Sequence, residues 1–563
     1  MVPLELACGQ RSATAIDEHP KKYFALTDIE MKNPCEHKSH RDFFMKIEYD
    51  TEYEAGQDNL KAFGMDMHNP VFFISALLIL SFVVITIIFP TSSKEILGGM
   101  KTWSINNFDW LFMLGGNIFV LFCIALIFSP LGKIRLGGKN IKPEYSRLSW
   151  FAMLFAAGMG IGLMFWSVAE PVAYYTGWYK TPLGVEANTE QAADLAMAAT
   201  MYHWGVHPWA IYGVVGLSLA FFSYNKGLPL TVRSAFYPLL GERVWGWPGH
   251  IIDLLAVFAT IFGLATSLGL GAQQASSGLS YLFDISAGIN TQIGIIIFVT
   301  SIAIISVVRG IDGGVKLLSN INMFVAAVLL AFVFIAGSTL DIFTGIFSTT
   351  ANYVTNIVPL SNWVDRDDST WFHGWTVFYW AWWISWSPFV GMFIARVSKG
   401  RTVREFLIAV LVIPTLVTIV WMATFGGSAL DQTMNNVGAL ADGITKVPLA
   451  MYQMLENLPL TTITSSLAII LVLVFFITSS DSGSLVIDSI TSGGKVDAPV
   501  PQRIFWATME GLIAGALLYI GGKEALDALQ AGSISTGLPF TIILIFMCIS
   551  LFKGLNTEIK LYK

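Results

Sequence analysis

Six tryptophans crowd the segment WFHGWTVFYWAWWISWSPFVGMF: Trp371, Trp375, Trp380, Trp382, Trp383 and Trp386. Anchoring at a bilayer interface uses one or two per helix end, so belt and core roles absorb only part of the run. On a helix Trp382 and Trp383 share a face with Trp386, at i+4 and i+3. Stacked indole faces are what a quaternary ammonium seeks, at ~0.5–2 kcal/mol per cation–π contact. A second stretch, MYHWGVHPWAIYG, adds Trp204 before Pro208, and Trp209 and Tyr212 one helical turn apart. Its His203 and His207 raise a zinc or proton reading, but no acidic or cysteine partner stands at ligand spacing.

Two further segments bear on backbone and oxygen chemistry. AAGMGIGLMFWSVAEP, from Ala156, alternates Gly158, Gly160 and Gly162. Each glycine costs ~1 kcal/mol relative to alanine inside a helix. The segment is either a close-packing surface, with Gly158 and Gly162 as a G-x-x-x-G pair, or a discontinuous helix whose freed backbone lines a cavity. VLVFFITSSDSGS ends an apolar run with Thr478, Ser479, Ser480 and Ser482. Such hydroxyls are hard-oxygen ligands suited to sodium, and equally common as helix-packing residues.

The elements that must position these groups are membrane helices. With 54% hydrophobic and 13% charged residues and a mean hydropathy of +0.62, the 563-residue chain excludes an ordinary soluble enzyme, which carries about 25% charged residues. Cys8, Cys35, Cys123 and Cys548 are too scattered for a disulfide framework or a zinc site. Stretches of ~20 apolar residues predict an all-α polytopic protein with twelve spans. They fall near 71–89, 110–129, 148–169, 208–224, 248–272, 289–308, 317–343, 371–393, 406–425, 462–478, 504–521 and 534–552. Residues 1–68 read as a solvated tail without a signal peptide. Residues 351–364 read as an amphipathic helix on the outer surface or a plain loop.

Lys133, Arg135, Lys139, Lys142, Arg147, Lys226, Arg233, Arg243, Arg309, Lys316, Arg396, Lys399, Arg401, Arg404, Lys495 and Arg503 all fall on one set of loops. The alternate loops hold Lys94, Lys101, Lys180, Arg366, Lys446 and Lys523. The bias predicts both termini in the cytoplasm of a cell-membrane protein.

Together the segments GMGIGLMFWSVAEP, HPWAIYG and FYWAWWISWSPFVGMFIARVSKGR make the chain resemble the betaine/choline/carnitine transporter family, from the first span to the last. The resemblance implies a LeuT-like fold of inverted repeats: two leading helices (69–147), repeats over 148–345 and 371–553, an external segment over 346–370, and a short tail over 554–563. It implies an aromatic box of Trp204, Trp209, Tyr212 and Trp383 for a trimethylammonium head, with Trp386 and Phe378 on the path. The substrate carboxylate would meet backbone at Gly158, Met159, Gly160 and Gly162. A sodium site would use the Ala156, Met159 and Phe475 carbonyls with the Thr478 and Ser479 hydroxyls.

A second family sodium site pairs two threonines one turn apart. Here Thr260 is matched by Leu264, although Thr266 and Ser267 lie close. Span five carries no arginine of the kind that replaces sodium in the carnitine exchangers, and Gly162 stands where proton-coupled choline carriers have aspartate. The sequence reading is therefore sodium-coupled uptake of glycine betaine or a related methylated zwitterion, with no further cofactor. The alternatives are a proton-coupled choline carrier, drawing on Glu170, Asp253 or Glu510, or a carrier of dimethylsulfoniopropionate or carnitine. The expected partners are the quaternary ammonium or sulfonium substrate and membrane lipids, with no nucleic acid; the family resemblance adds a homotrimer. No pore loop or charge ring points to a channel, and no catalytic constellation to an enzyme.

Overall fold

The computed structural model describes residues 49, 51–158, 160–309, 316–497 and 499–562. Its long helices, in chain order, are α1 (Val71–Ile88), α2 (Pro90–Phe128), α3 (Arg147–Gly158), α4 (Ile161–Thr176), α5 (Glu190–Trp204), α6 (Val206–Tyr224), α7 (Trp247–Phe283) and α8 (Ile289–Arg309). They continue with α9 (Lys316–Ala336), α10 (Thr339–Ser361), α11 (Val377–Val397), α12 (Val403–Met434), α13 (Thr461–Thr491), α14 (Val500–Gly521) and α15 (Ala525–Glu558). Each of the twelve predicted spans falls on one of these helices or on a broken pair. Among the described residues nine helical stretches are long and apolar enough to cross a membrane, and the bent pair α3–α4 makes a tenth. That count treats α14 and α15 as one stretch, although a turn at Gly522–Glu524 divides them. It passes over α11, whose indoles and hydroxyls lower its hydropathy.

Two spans are broken, each at glycine. α3 and α4 meet at a 69° bend, with Gly160 in an extended conformation ahead of α4. α5 and α6 are parted at Gly205, where an added Cβ would lie 2.6 Å from both the Met201 carbonyl and the Tyr353 hydroxyl. That hydroxyl accepts a hydrogen bond from the Val206 amide at 3.0 Å, which satisfies an amide freed by the break.

The spans carrying the glycine and tryptophan segments lie inside. α11 packs on α6 and also on α15 and α7; α12 packs on α4 and α6, and α4 on α5, so these segments form one connected group. The most apolar window of α5–α6 is 94% buried, against 22% for α9 and 39% for α1. The outer helices turn Leu77, Val84, Ile85, Phe324 and Ile335 outward, as a lipid-facing surface requires.

The sequence reading is corrected at its edges. α5, in a stretch read as a connection, is a helix. The outer-surface segment is helical over α10, with Ile342, Thr349, Tyr353 and Leu360 as its buried stripe, so the preceding span ends at Ala336 and not at 343. Residues 1–48 and 50 lie outside the described residues, but 51–68 are no free tail. β1 (Asn59–Ala62) and β2 (Met65–His68) form an antiparallel hairpin, with Asp66 bonded to Lys495 at 2.5 Å and its amide to Gln502 at 3.0 Å. The chain's other end is tied down as well: Glu558 pairs with Lys226 at 2.8 Å, and the Tyr562 hydroxyl accepts from the Arg135 amide at 2.9 Å.

Candidate functional site

Trp204 ends α5, Trp209 and Tyr212 sit in the first turns of α6, and Trp383 comes from the middle of α11, all four buried. Their rings meet in series at near right angles. Trp204 and Trp383 are 4.9 Å apart at 80°, Trp383 and Tyr212 6.1 Å at 83°, and Tyr212 and Trp209 5.6 Å at 81°. The four residues of the expected box thus pack edge to face in series, from Trp204 through Trp383 and Tyr212 to Trp209. Trp382 stacks on Trp383 at 4.9 Å and 15°, and Phe378 stacks on Trp382 at 5.5 Å and 11°. Trp386 follows edge-on to Trp382 at 6.3 Å.

Indole N–H bonds hold these walls. Trp383 donates to the His203 carbonyl at 2.8 Å, Trp386 to the Gly263 carbonyl at 3.0 Å and Trp382 to the Ser267 hydroxyl at 3.2 Å. The Tyr212 hydroxyl is buried without a protein partner. A box that cannot hydrogen-bond a methylated head can still hold it by ring faces.

The glycine segment borders the same rings. A Cβ on Gly162 would lie 2.5 Å from the six-membered ring of Trp382 and 2.9 Å from that of Trp204. Only a residue without a side chain lets the start of α4 approach the box this closely. Gly160 lies beside Trp386, with 3.2 Å from an added Cβ to its ring. The first turn of α4 therefore lies against these rings, and a helix N-terminus is a place that favours a carboxylate. Gly158 ends α3, and Met159 lies outside the described residues.

The predicted oxygen ligands converge elsewhere on this break. Ala156, Phe475, Thr478 and Ser479 line one cavity of about 110 Å³, shared with Ser482, Trp386, Phe389 and Asn322. The Thr478 hydroxyl donates to the Val474 and Phe475 carbonyls at 3.0 and 3.2 Å, which leaves its lone pairs free to accept a cation. Thr260 is different. It donates to the Ala256 carbonyl at 2.7 Å, while Thr266 is engaged with Leu529 and Ser533 and Ser267 with Trp382.

One feature of the site escaped the sequence reading, which gave Glu170 a structural or interface role or a place in proton coupling. Its carboxylate is fully buried and gathers four partners: Trp204 Nε1 at 2.8 Å, and the Tyr379 hydroxyl, the Tyr174 hydroxyl and His203 Nδ1 each at 2.7 Å. His203 Nε2 lies 3.0 Å from Thr376 Oγ1, so the Nδ1–H tautomer, with the threonine donating, satisfies both ring nitrogens. Only the i, i+4 spacing of Glu170 and Tyr174 was visible in sequence. His207 lies apart from this set, near Asn117 at 3.3 Å and Ser361 at 3.4 Å.

Comparison with known proteins shows the family. Residues 70–560 match the profile of the BCCT, betaine/carnitine/choline family transporter. The chain is 66% identical over 510 residues to "Glycine betaine transporter 1" of Vibrio parahaemolyticus serotype O3:K6, covering 90% of this chain and 97% of that one. A glycine betaine/proline/choline/ectoine transporter of the same organism is 61% identical over 524 residues, covering 92% and 93%. A glycine betaine/proline/choline transporter, also from it, is 54% identical over 531 residues, covering 91% and 95%. The chain is a multi-pass membrane transporter of the betaine/carnitine/choline family.

Proposed function

We propose that the protein is a sodium-coupled carrier for glycine betaine or a closely related methylated zwitterion, working in the cell membrane with both ends of the chain in the cytoplasm. The observation that carries this reading is the meeting of three features: edge-to-face aromatic rings that reach the α3–α4 break through Trp204, the N-terminus of α4, and a hydroxyl-lined cavity. The walls take the trimethylammonium, the α4 amides take the carboxylate, and the Thr478 and Ser479 oxygens take sodium as co-substrate, with the Ala156 and Phe475 carbonyls. Each sodium entering adds about 2.3 kcal/mol per 100 mV to the driving force. The orientation rests on the basic loops, and the substrate class on the names of the Vibrio relatives, which also include proline, choline and ectoine.

Alternating access follows from rocking the packed group α3–α4, α5–α6, α11 and α12 against the remaining helices. Uptake of labelled betaine into proteoliposomes tests the coupling. Accumulation is expected under an inward sodium gradient and not under an equal potassium gradient; equal uptake in both removes it. Competition by choline, proline, ectoine and dimethylsulfoniopropionate ranks the substrates.

A further inference from the structure

Glu170 sits one indole ring behind the box. Two donors reach each of its oxygens, Tyr174 and His203 on Oε1, Trp204 and Tyr379 on Oε2. Four hydrogens on two oxygens is the complement an ionised carboxylate accepts, and no lysine or arginine joins it among the hydrogen bonds and ion pairs described. A carboxylate placed in a membrane helix with a histidine, His203, as its one basic partner among those described is costly, and such residues mark function. Its position says what that function is. Trp204 Nε1–H points at the anion, so the hydrogen is drawn toward Oε2 and electron density moves into the indole ring. The ring face that results is more negative. His203, bonded to the same carboxylate, offers its carbonyl to Trp383, so a second wall is oriented from the same centre.

Resting on the proposed betaine reading, we propose that Glu170 is a specificity-determining residue that makes the box select a positively charged head, acting through the Trp204 indole N–H. It does not touch the substrate. A residue that merely shaped the box would favour any head of trimethyl shape, charged or neutral.

The test compares glycine betaine with 3,3-dimethylbutanoate, which has the same shape but a carbon in place of the ammonium nitrogen. Binding of both to the purified full-length transporter is measured in saturating sodium by tryptophan fluorescence and calorimetry. Wild type is expected to prefer betaine strongly, and Glu170→Gln to lower that preference tenfold or more by weakening betaine while the anionic analogue, whose head is uncharged, is weakened less than twofold. In a Trp204→Phe background, which keeps an aromatic face but no N–H, Glu170→Gln is expected to change the preference no further. Equal weakening of both ligands by Glu170→Gln, or a full effect in the Trp204→Phe background, overturns the inference. Should Glu170→Gln fail to accumulate in membranes, Trp204→Phe alone decides, since a wild-type preference there also overturns it. Failure of the wild type to bind betaine at all is a different result and refutes the substrate reading itself.

Discussion

Trp383 corners both Trp204 and Tyr212, stacks on Trp382, and is anchored by its N–H to the His203 carbonyl. Replacing it with leucine keeps apolar volume but removes a π face. One cation–π contact of ~0.5–2 kcal/mol corresponds to a betaine KM raised about two- to thirtyfold. Trp383→Leu is therefore expected to raise KM with near-normal amounts of protein in the membrane; unchanged KM would mean the head binds elsewhere. Thr478 makes a contrasting case. Its hydroxyl hydrogen is committed to its own helix, so Thr478→Ala removes an acceptor from the cavity with little effect on helix packing. The half-saturating sodium concentration should then rise by a larger factor than the betaine KM measured at saturating sodium. A change in betaine KM alone would place Thr478 outside the ion site.

Among the elements, the start of α4 is held against the box because Gly162 has no side chain. A methyl there meets two rings, Trp382 and Trp204, at 2.5 and 2.9 Å. Overpacking of this kind costs ~1–3 kcal/mol. Gly162→Ala is expected to depress transport sharply by displacing box walls, and retained wild-type KM would show that the rings yield elsewhere. The hairpin of residues 59–68 belongs to another regime, because its contacts titrate. His68 Nε2 lies 2.9 Å from Arg233 Nη2, and Arg233 is also bonded to His250, Tyr53 and Asp253. Burial, with the Arg233 charge and His250 beside it, pushes the His68 imidazole down to about 3. Folded His68 thus stays neutral where a free histidine takes a proton, and the contact loses up to about 1.4 kcal/mol per pH unit as pH falls below ~6.5. Hydrogen-exchange protection factors across 51–68, taken relative to the intrinsic rate at each pH, should fall between pH 7 and 5, and His68→Asn should flatten the dependence.

The elements also show what a sequence can and cannot tell. Lipid-facing spans declare themselves because the bilayer demands about twenty apolar residues. EQAADLAMAATMYHW does not, since α5 is buried by protein and can carry Glu190 and Asp194 at its outer end. The aromatic and hydroxyl residues of the site were legible as unusual local composition. The partners of Glu170 were not, because His203, Trp204 and Tyr379 come from distant segments that only the fold assembles.

At the scale of the whole molecule, the hydroxyl-lined cavity lies where the two halves of the proposed motion meet. Ala156 belongs to the packed group of α3–α4, α5–α6, α11 and α12, and Thr478 and Ser479 to α13 outside it, yet all line the same space. The proposed sodium ion would tie the break in α3–α4 to α13, and the same break brings Gly160 to Trp386 and Gly162 to Trp382 and Trp204. Ion and substrate then stabilise one arrangement of a single element, which is the physical requirement for coupling. Thermodynamic linkage makes this quantitative: the factor by which saturating sodium tightens betaine binding must equal the factor by which saturating betaine tightens sodium binding. Calorimetry on the purified transporter, titrating each ligand with and without the other, should return a shared factor of about 5–150, the usual range for coupled sites. In Ser479→Ala the factor should fall toward one in both titrations while betaine still binds the box. A factor of one in the wild type would separate the ion from the substrate and leave the carrier driven by the substrate gradient alone.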